Sequence, residues 1–117
     1  MSITKIPKSE FKIMKFIWET DYEMSSKNIV YAMENKYNWK PSTTLSLLSK
    51  LVKRNFLSTE KIGRYTHYKV IVENRDYLNF ETMCFFDNIH SNSIESLIKS
   101  LEDCNLINDT FMKYIKL

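Results

Sequence analysis

The sequence PSTTLSLLSKLVKRNFL at residues 41–57 predicts one short helix with two different faces. At 100° per residue, apolar side chains fall on one side, and hydroxyl and cationic side chains fall on the other. The first side is typical of a helix that packs on a protein core, and it contains Thr44, Leu47, Leu48, Leu51 and Val52. The opposite side, with its flanks, consists of Ser42, Thr43, Ser46, Ser49, Lys50, Lys53 and Arg54.

The outward face of this helix has no carboxylate, whereas an ordinary solvated face mixes Glu and Asp with Lys. Hydroxyl groups contact phosphates or base edges, and side-chain cations neutralise phosphates. We therefore predict a DNA recognition helix, with a plain solvated face as the alternative. The predicted DNA contacts on this helix are Ser42, Thr43, Leu45, Ser46, Ser49, Lys50, Lys53 and Arg54.

Two further helices are predicted before this segment. The first opens at Ser9, and the second is capped by Ser25 or Ser26, because a hydroxyl oxygen accepts a hydrogen bond from a free backbone N–H there. Pro41 suits the first position of the third helix, since its missing N–H is not needed at that point. Lys40 is then the N-cap residue of the third helix.

A β-hairpin is predicted after the third helix. Its strands are Leu57–Ile62 and Tyr65–Val70, and its turn contains Gly63, the single glycine of the chain. Lys61 and Arg64 lie at the tip, where we expect them to contact phosphates, although the same turn also suits an ordinary hairpin. Three helices followed by a hairpin is the order of a winged helix-turn-helix. The predicted fold is mainly α with a small β-hairpin wing, and the DNA-binding domain spans residues 1–72.

Charge is unevenly distributed along the 117 residues, whose net charge is +3. Residues 1–70 hold 13 Lys and Arg against 6 Asp and Glu, whereas residues 71–117 hold 4 against 8. A basic first part favours a polyanionic partner such as double-stranded DNA. The sequence has neither a long apolar run nor the pattern of a secretory signal, so we expect a cytoplasmic protein that does not span a membrane.

No group of residues predicts an enzyme, a metal site or a cofactor. Cys84 and Cys104 form no CxxC motif and have no His at metal-ligand spacing, so we expect reduced, buried thiols. His67 and His90 each lack a nearby partner for acid–base chemistry. Phosphate-binding loops and nucleophile elbows are absent from the sequence.

Residues 73–117 predict a helical region with more apolar surface than so short a segment buries alone. One helix covers Asn74–His90, and a second, capped by Asn92 or Ser93, contains an amphipathic repeat. A third, short helix is predicted from Leu106, Ile107, Phe111, Met112 and Ile115.

We predict that this helical region forms a homodimer. Packing against the first domain is the alternative, and a ligand pocket is a second reading of the aromatic run Phe80, Phe85 and Phe86. The predicted interface residues are Tyr77, Phe80, Cys84, Ile94, Leu97, Ile98, Leu101 and Phe111.

Residues spread along nearly the whole chain resemble one family in their order. They are Glu10–Met14, Ile17, Trp18, Trp39, Pro41, Thr43, Leu48, Leu51, Lys53, Phe56, Tyr65–Tyr68, Val70 and Ser96–Ile98. This collinear pattern resembles the penicillinase repressor (BlaI/MecI/CopY) family of bacterial transcription regulators. The resemblance implies a homodimer that binds dyad-symmetric operators and represses transcription.

Several positions depart from what this resemblance implies. Leu45 stands where the family often has a basic residue that contacts bases, so we expect an apolar contact, for example with a thymine methyl. Ser42 replaces a frequent Lys. Ser100-Leu101 aligns with the Asn-Phe bond that a sensor protease cuts in penicillinase repressors, and the tail lacks the CxC motif of the copper-responsive branch. The operator, the inducing signal and any sensor or protease partner therefore stay open.

Two functions are compatible with the sequence. The first is a homodimeric winged-helix repressor that acts on a dyad-symmetric operator. The second is a winged-helix protein-interaction module, such as an anti-repressor or an assembly factor, without specific DNA binding. Steep salt dependence of duplex binding distinguishes the first function from the second.

Overall fold

The computed structural model describes residues 3–20, 23–110 and 113. The described residues form a mainly helical chain with one small antiparallel sheet. The helices and strands predicted up to the second tail helix are all present, and both hairpin strands have the predicted bounds. The helix predicted over Asn74–His90 ends two residues earlier, at Asn88. In chain order the elements are α1 (Lys8–Glu19), β1 (Glu23–Ser25), α2 (Ser26–Tyr37), α3 (Pro41–Lys53), β2 (Leu57–Ile62), β3 (Tyr65–Val70), α4 (Asn74–Asn88) and α5 (Ile94–Asp103).

Helices α1, α2 and α3 bury the apolar faces that their periodicity predicts. The Ser25 hydroxyl caps α2 by accepting a hydrogen bond from the backbone N–H of Asn28 at 3.3 Å. Helix α3 begins at Pro41, and Lys40 is its N-cap residue without a side-chain capping bond. The fully buried apolar residues of these three helices are Ile13, Met14, Ile17, Ile29, Met33, Leu48 and Leu51.

The sheet has the strand order β1-β3-β2, and both pairs are antiparallel. The central strand β3 places Tyr68 between Met24 of β1 and Thr59 of β2. The sequence does not predict β1, because three residues are too few to show an alternating pattern. That strand exists through its pairing with β3, so the wing is part of a three-stranded sheet.

The chain divides into two compact units, Met1–Leu78 and Asn79–Leu117. This division falls within α4, later than the predicted boundary after residue 72, because Tyr77 belongs to the core of the first unit. Its side chain is 1% exposed, and its hydroxyl oxygen accepts a hydrogen bond from the backbone N–H of Ile6 at 3.1 Å. The centroid of its ring lies 5.5–5.8 Å from those of Phe11, Trp18 and Phe56. Tyr77, which the sequence predicts as a dimer contact, is therefore a core residue of the first unit.

The described part of the second unit leaves much apolar surface uncovered. His90 is buried there, with its Nδ1 2.8 Å from the Ser96 hydroxyl oxygen and its ring against Phe85. The exposed large apolar residues of this part are Met83, Phe85, Ile89, Ile94 and Leu106. The half-buried ones are Phe80, Cys84, Phe86, Leu97, Ile98, Leu101 and Ile107.

Three further predictions concern the third tail helix, the two cysteines and the absence of a membrane span. Phe111, Met112 and Ile115, on which the predicted third tail helix depends, lie outside the described residues. Both cysteines are free, but neither is fully buried as predicted: Cys84 is half-buried and Cys104 is exposed. Among the described residues, the helices are too short or too polar to cross a membrane.

Thr44 provides a test of packing in the first unit. Its side chain is fully buried, and its hydroxyl oxygen has no hydrogen-bond partner among the described residues. Because an unsatisfied buried hydroxyl is costly, we expect Thr44→Val to raise the free energy of unfolding by about 1 kcal/mol in urea denaturation. Thr43→Val, at an exposed position of the same helix, is the control and is expected to give no such gain. A loss of stability in Thr44→Val contradicts this account.

Candidate nucleic-acid interface

Helix α3 presents hydroxyl and cationic side chains to solvent on the side opposite the core. It has no acidic residue in its first turn, and Lys50 and Lys53 occupy its last turn. Leu45 is 45% exposed at the edge of this face, so it adds one apolar contact point to a polar surface. The residues of the predicted recognition face are all exposed, and they are Ser42, Thr43, Leu45, Ser46, Ser49, Lys50, Lys53 and Arg54.

The wing carries Lys61 and Arg64 as exposed cations on either side of Gly63. Gly63 has φ +63°, a left-handed conformation that glycine adopts without strain. The nearby carboxylate of Glu60 is occupied by an ion pair with Lys69 at 2.9 Å. A hydrogen bond and attraction from Lys69 lower the pKa of Glu60, and the same pair raises the pKa of Lys69. The wing therefore offers positive charge at its tip, while the Glu60 carboxylate is neutralised by Lys69.

The N-terminal end of α2 lies beside the recognition face, which the sequence does not predict. A cavity of about 590 Å³ is lined by this end of α2, by the start of α3 and by the start of β3. Lys27, Leu45 and Tyr65 all contribute to its walls. The Lys27 Nζ atom lies 5.6 Å from the centroid of the Tyr65 ring, within the range of a cation–π contact.

The first turn of α2 has no acidic residue, so its helix dipole is not neutralised there. Lys27 adds a full positive charge at the same end of the helix. The absence of carboxylates from residues 24–28 is the sequence signal that identifies this additional basic edge. Only the tertiary fold brings Tyr65 and Leu45 next to Lys27.

Arg54 has a different environment from the other predicted cations. Its Nε donates a hydrogen bond of 2.8 Å to the Glu10 carboxylate, whose residue is 2% exposed. The Arg54 side chain itself is 36% exposed. This pair joins the end of α3 to α1 and neutralises a buried carboxylate, so Arg54 is not a free cation of the recognition face.

We expect Arg54→Gln to lower the free energy of unfolding by roughly 1–3 kcal/mol, because it leaves the Glu10 carboxylate buried without its counter-ion. The partial exposure of Arg54 keeps the loss below that of a fully buried pair. Thermal or urea denaturation measures the effect, and Lys50→Gln is the control with unchanged stability. An Arg54→Gln variant of full stability contradicts the assignment of a structural role.

Three packed helices followed by a β-hairpin wing form the architecture of the winged-helix class of DNA-binding domains. The solution structure of the DNA-binding domain of the repressor BlaI is similar, with a TM-score of 0.59, 26% identity and coverage of 65% of this chain and 92% of that one. A solution structure of monomeric Bacillus licheniformis BlaI with the blaP half-operator has a TM-score of 0.56, the same 26% identity and the same coverage of both chains.

The family profile described as penicillinase repressor matches residues 6–113, which is most of the chain. The chain belongs to the penicillinase repressor family. The resemblance stated from the sequence and the winged-helix fold are thus both confirmed.

Individual relatives are distant and longer. The penicillinase repressor of Bacillus licheniformis is 23% identical over 82% of this chain and 74% of its own length. The methicillin resistance regulatory protein MecI of Staphylococcus aureus is 26% identical over 80% of this chain and 76% of its own. An uncharacterized 16.5 kDa protein in the ptsI 3′ region of Latilactobacillus sakei is 29% identical over 73% of this chain. The match spans 58% of that last protein.

Proposed function

We propose that this chain is a cytoplasmic, homodimeric repressor of transcription that binds a dyad-symmetric operator in double-stranded DNA. The observation that carries the proposal is the exposed face of α3, which has hydroxyl groups and cations but no carboxylate, on a fold similar to that of the BlaI DNA-binding domain. Membership of the penicillinase repressor family supports the same function.

In this proposal α3 enters the major groove and the wing contacts the neighbouring backbone. Short hydroxyl side chains and Leu45 approach base edges, because they lie in the first turns of α3 and are exposed. The base-reading residues are Ser42, Thr43, Leu45 and Ser46. The longer cationic side chains bind phosphates and fix the register of the protein on the duplex. These cations are Lys50 and Lys53 of α3, Lys61 and Arg64 of the wing, and Lys27 of α2. Ser49 lies along α3 between the base-reading residues and the phosphate-binding lysines.

The second unit supplies the dimer contacts in this proposal. Its amphipathic helix α5 has no buried residue, although its apolar side chains recur at helical spacing. Apolar surface of this kind favours association between copies. The operator complex of BlaI contains a monomer on a half-operator. By analogy, each protomer here binds one half-site, and the two recognition helices lie about one helical turn of DNA or a multiple apart.

Selection of bound sites from a random pool of duplexes tests the proposal directly. The full chain is used at near-physiological salt, and a motif with two symmetric half-sites at helical spacing is the expected result. Recovery of no motif, together with binding that disappears at moderate salt, contradicts sequence-specific repression. That outcome favours a winged-helix protein-interaction module instead.

The phosphate role of Lys53 is tested by salt dependence. Because each neutralised phosphate contributes about 0.9 to the slope of log affinity against log salt, we expect Lys53→Ala to lower that slope by about one and to weaken specific and random duplexes alike. Lys36→Ala is the control, since Lys36 lies over the Phe16 ring rather than on α3. An unchanged slope in Lys53→Ala removes this residue from the interface.

A further inference from the structure

The cavity beside α3 has the size and lining of a small-molecule site. Its volume of about 590 Å³ lies within the range of about 300–1,000 Å³ that is usual for ligand pockets. The walls combine aliphatic groups of Val30, Pro41 and Leu45 with the rings of Tyr31 and Tyr65. All of the lining residues belong to the first compact unit, so the cavity does not depend on the second.

The aromatic and aliphatic walls of this cavity are accessible from solvent. Tyr31, Leu45 and Tyr65 are among the exposed large apolar residues of the chain. Exposed apolar groups that converge on one concave surface favour an apolar, planar occupant, because rings stack on tyrosine faces and displace water from them. The body of the expected ligand is therefore aromatic.

Charge at the two ends of the cavity orients such a ligand. Lys27 lies in the first turn of α2, where the helix dipole is positive and no acidic residue is present. Glu34 lines the cavity from the same helix, two turns further along, about 10 Å from Lys27 at 1.5 Å per residue. An anionic group fits the Lys27 end, and a hydrogen-bond donor fits the Glu34 end.

We propose that the cavity between α2, Leu45 and Tyr65 is an effector site for a planar aromatic carboxylate that carries a hydrogen-bond donor at its far end, and that its occupation prevents DNA binding. Leu45 and Lys27 line the cavity and also belong to the interface of the proposed function. One set of side chains therefore cannot contact a ligand and a duplex at the same time. The claim that an occupied cavity prevents DNA binding rests on the proposed function, whereas ligand binding itself does not.

Titration of the full chain with 6-hydroxy-2-naphthoate, followed by ¹H–¹⁵N NMR without DNA, tests the site. This probe has about 14 non-hydrogen atoms, so we expect a dissociation constant on the order of 1 mM. Shifts are expected at Asn28, Leu45 and Tyr65. The neutral 6-hydroxy-2-naphthamide, which has the same shape without the charge, is expected to bind about tenfold more weakly.

A matched pair of variants identifies the lysine that binds the carboxylate of the ligand. Lys27→Gln is expected to weaken the naphthoate about tenfold, whereas Lys36→Gln, which changes a lysine of the same helix outside the cavity, leaves it unchanged. Equal binding of acid and amide, no saturable shifts, or shifts confined to residues 79–110 overturn the site. Shifts that depend on protein concentration and report association of two copies through this face overturn it as well.

Competition with DNA tests separately whether a bound ligand prevents DNA binding. Saturating naphthoate is expected to weaken binding to a selected operator at least tenfold, and equally strong DNA binding with the ligand present overturns this claim. If the chain binds no duplex at all, the proposed function and the claim fail together. The NMR titration still decides whether the cavity binds an aromatic carboxylate.

Discussion

Replacing Leu97 with Glu is expected to convert the proposed dimer to monomers and to weaken binding to an operator with two half-sites by about a hundredfold or more. Leu97 is half-buried on the apolar stripe of α5, together with Ile98 and Leu101. A carboxylate at this position is desolvated if the dimer forms, which opposes association. Sedimentation measures the oligomeric state, and fluorescence anisotropy measures binding to full and half operators.

The half operator separates loss of the dimer from loss of the DNA-binding domain. Leu97→Glu is expected to leave half-site affinity unchanged, because the first unit is intact and only the linked second binding event is lost. Lys99→Glu changes charge at an exposed position of the same helix and is expected to remain dimeric. A Leu97→Glu variant that stays dimeric contradicts the assignment of α5 to the interface.

Replacing Tyr77 with Ala is expected to lower the free energy of unfolding by about 3–5 kcal/mol, since it removes a fully buried ring from the core of the first unit. The ring packs against Phe11, Trp18 and Phe56, so the cavity that remains is lined by large aromatic groups that cannot collapse easily. Urea denaturation at fixed protein concentration measures this loss.

Two other variants separate packing from hydrogen bonding at this position. Tyr77→Phe retains the ring but removes the acceptor for the Ile6 N–H, and we expect a loss of about 1–3 kcal/mol. Tyr31→Ala is the matched control at a tyrosine that is 67% exposed, with an expected change within about 0.5 kcal/mol. If Tyr77→Ala dissociates the dimer without lowering stability, Tyr77 is an interface residue after all.

Local periodicity was sufficient to predict most of the elements. The helical repeat of α3 separates Leu48 and Leu51 from Ser46 and Lys53, and the structure buries the first pair and exposes the second. The hairpin was predictable because Gly63 interrupts two β-rich runs and supplies the left-handed turn. The set of exposed hydroxyls and cations on α3 follows from the same repeat, while its contact with DNA remains a prediction.

Contacts between distant positions were not predictable in the same way. Arg54 lies on the cationic flank of α3 by periodicity, yet its partner Glu10 is 44 residues away in the sequence. Tyr77 lies at helical spacing in the tail, but Ile6 and the aromatic core determine its burial. The sequence shows that Arg54 is a cation and that Tyr77 is aromatic. Whether Arg54 binds DNA or Glu10, and whether Tyr77 lies in an interface or in the core, depends on their neighbours in space.

The sequence by itself determined the order of helices and hairpin, the two faces of α3 and the basic character of the first part, because these depend on residue type and local spacing. The tertiary structure alone decided that Arg54 neutralises Glu10, that Tyr77 is a core residue and that β1 joins the sheet. It also decided that Lys27, Leu45 and Tyr65 surround one cavity. The physical reason is that hydrogen bonds, ion pairs and packing act over a few ångströms in space, whereas these partners are far apart along the chain.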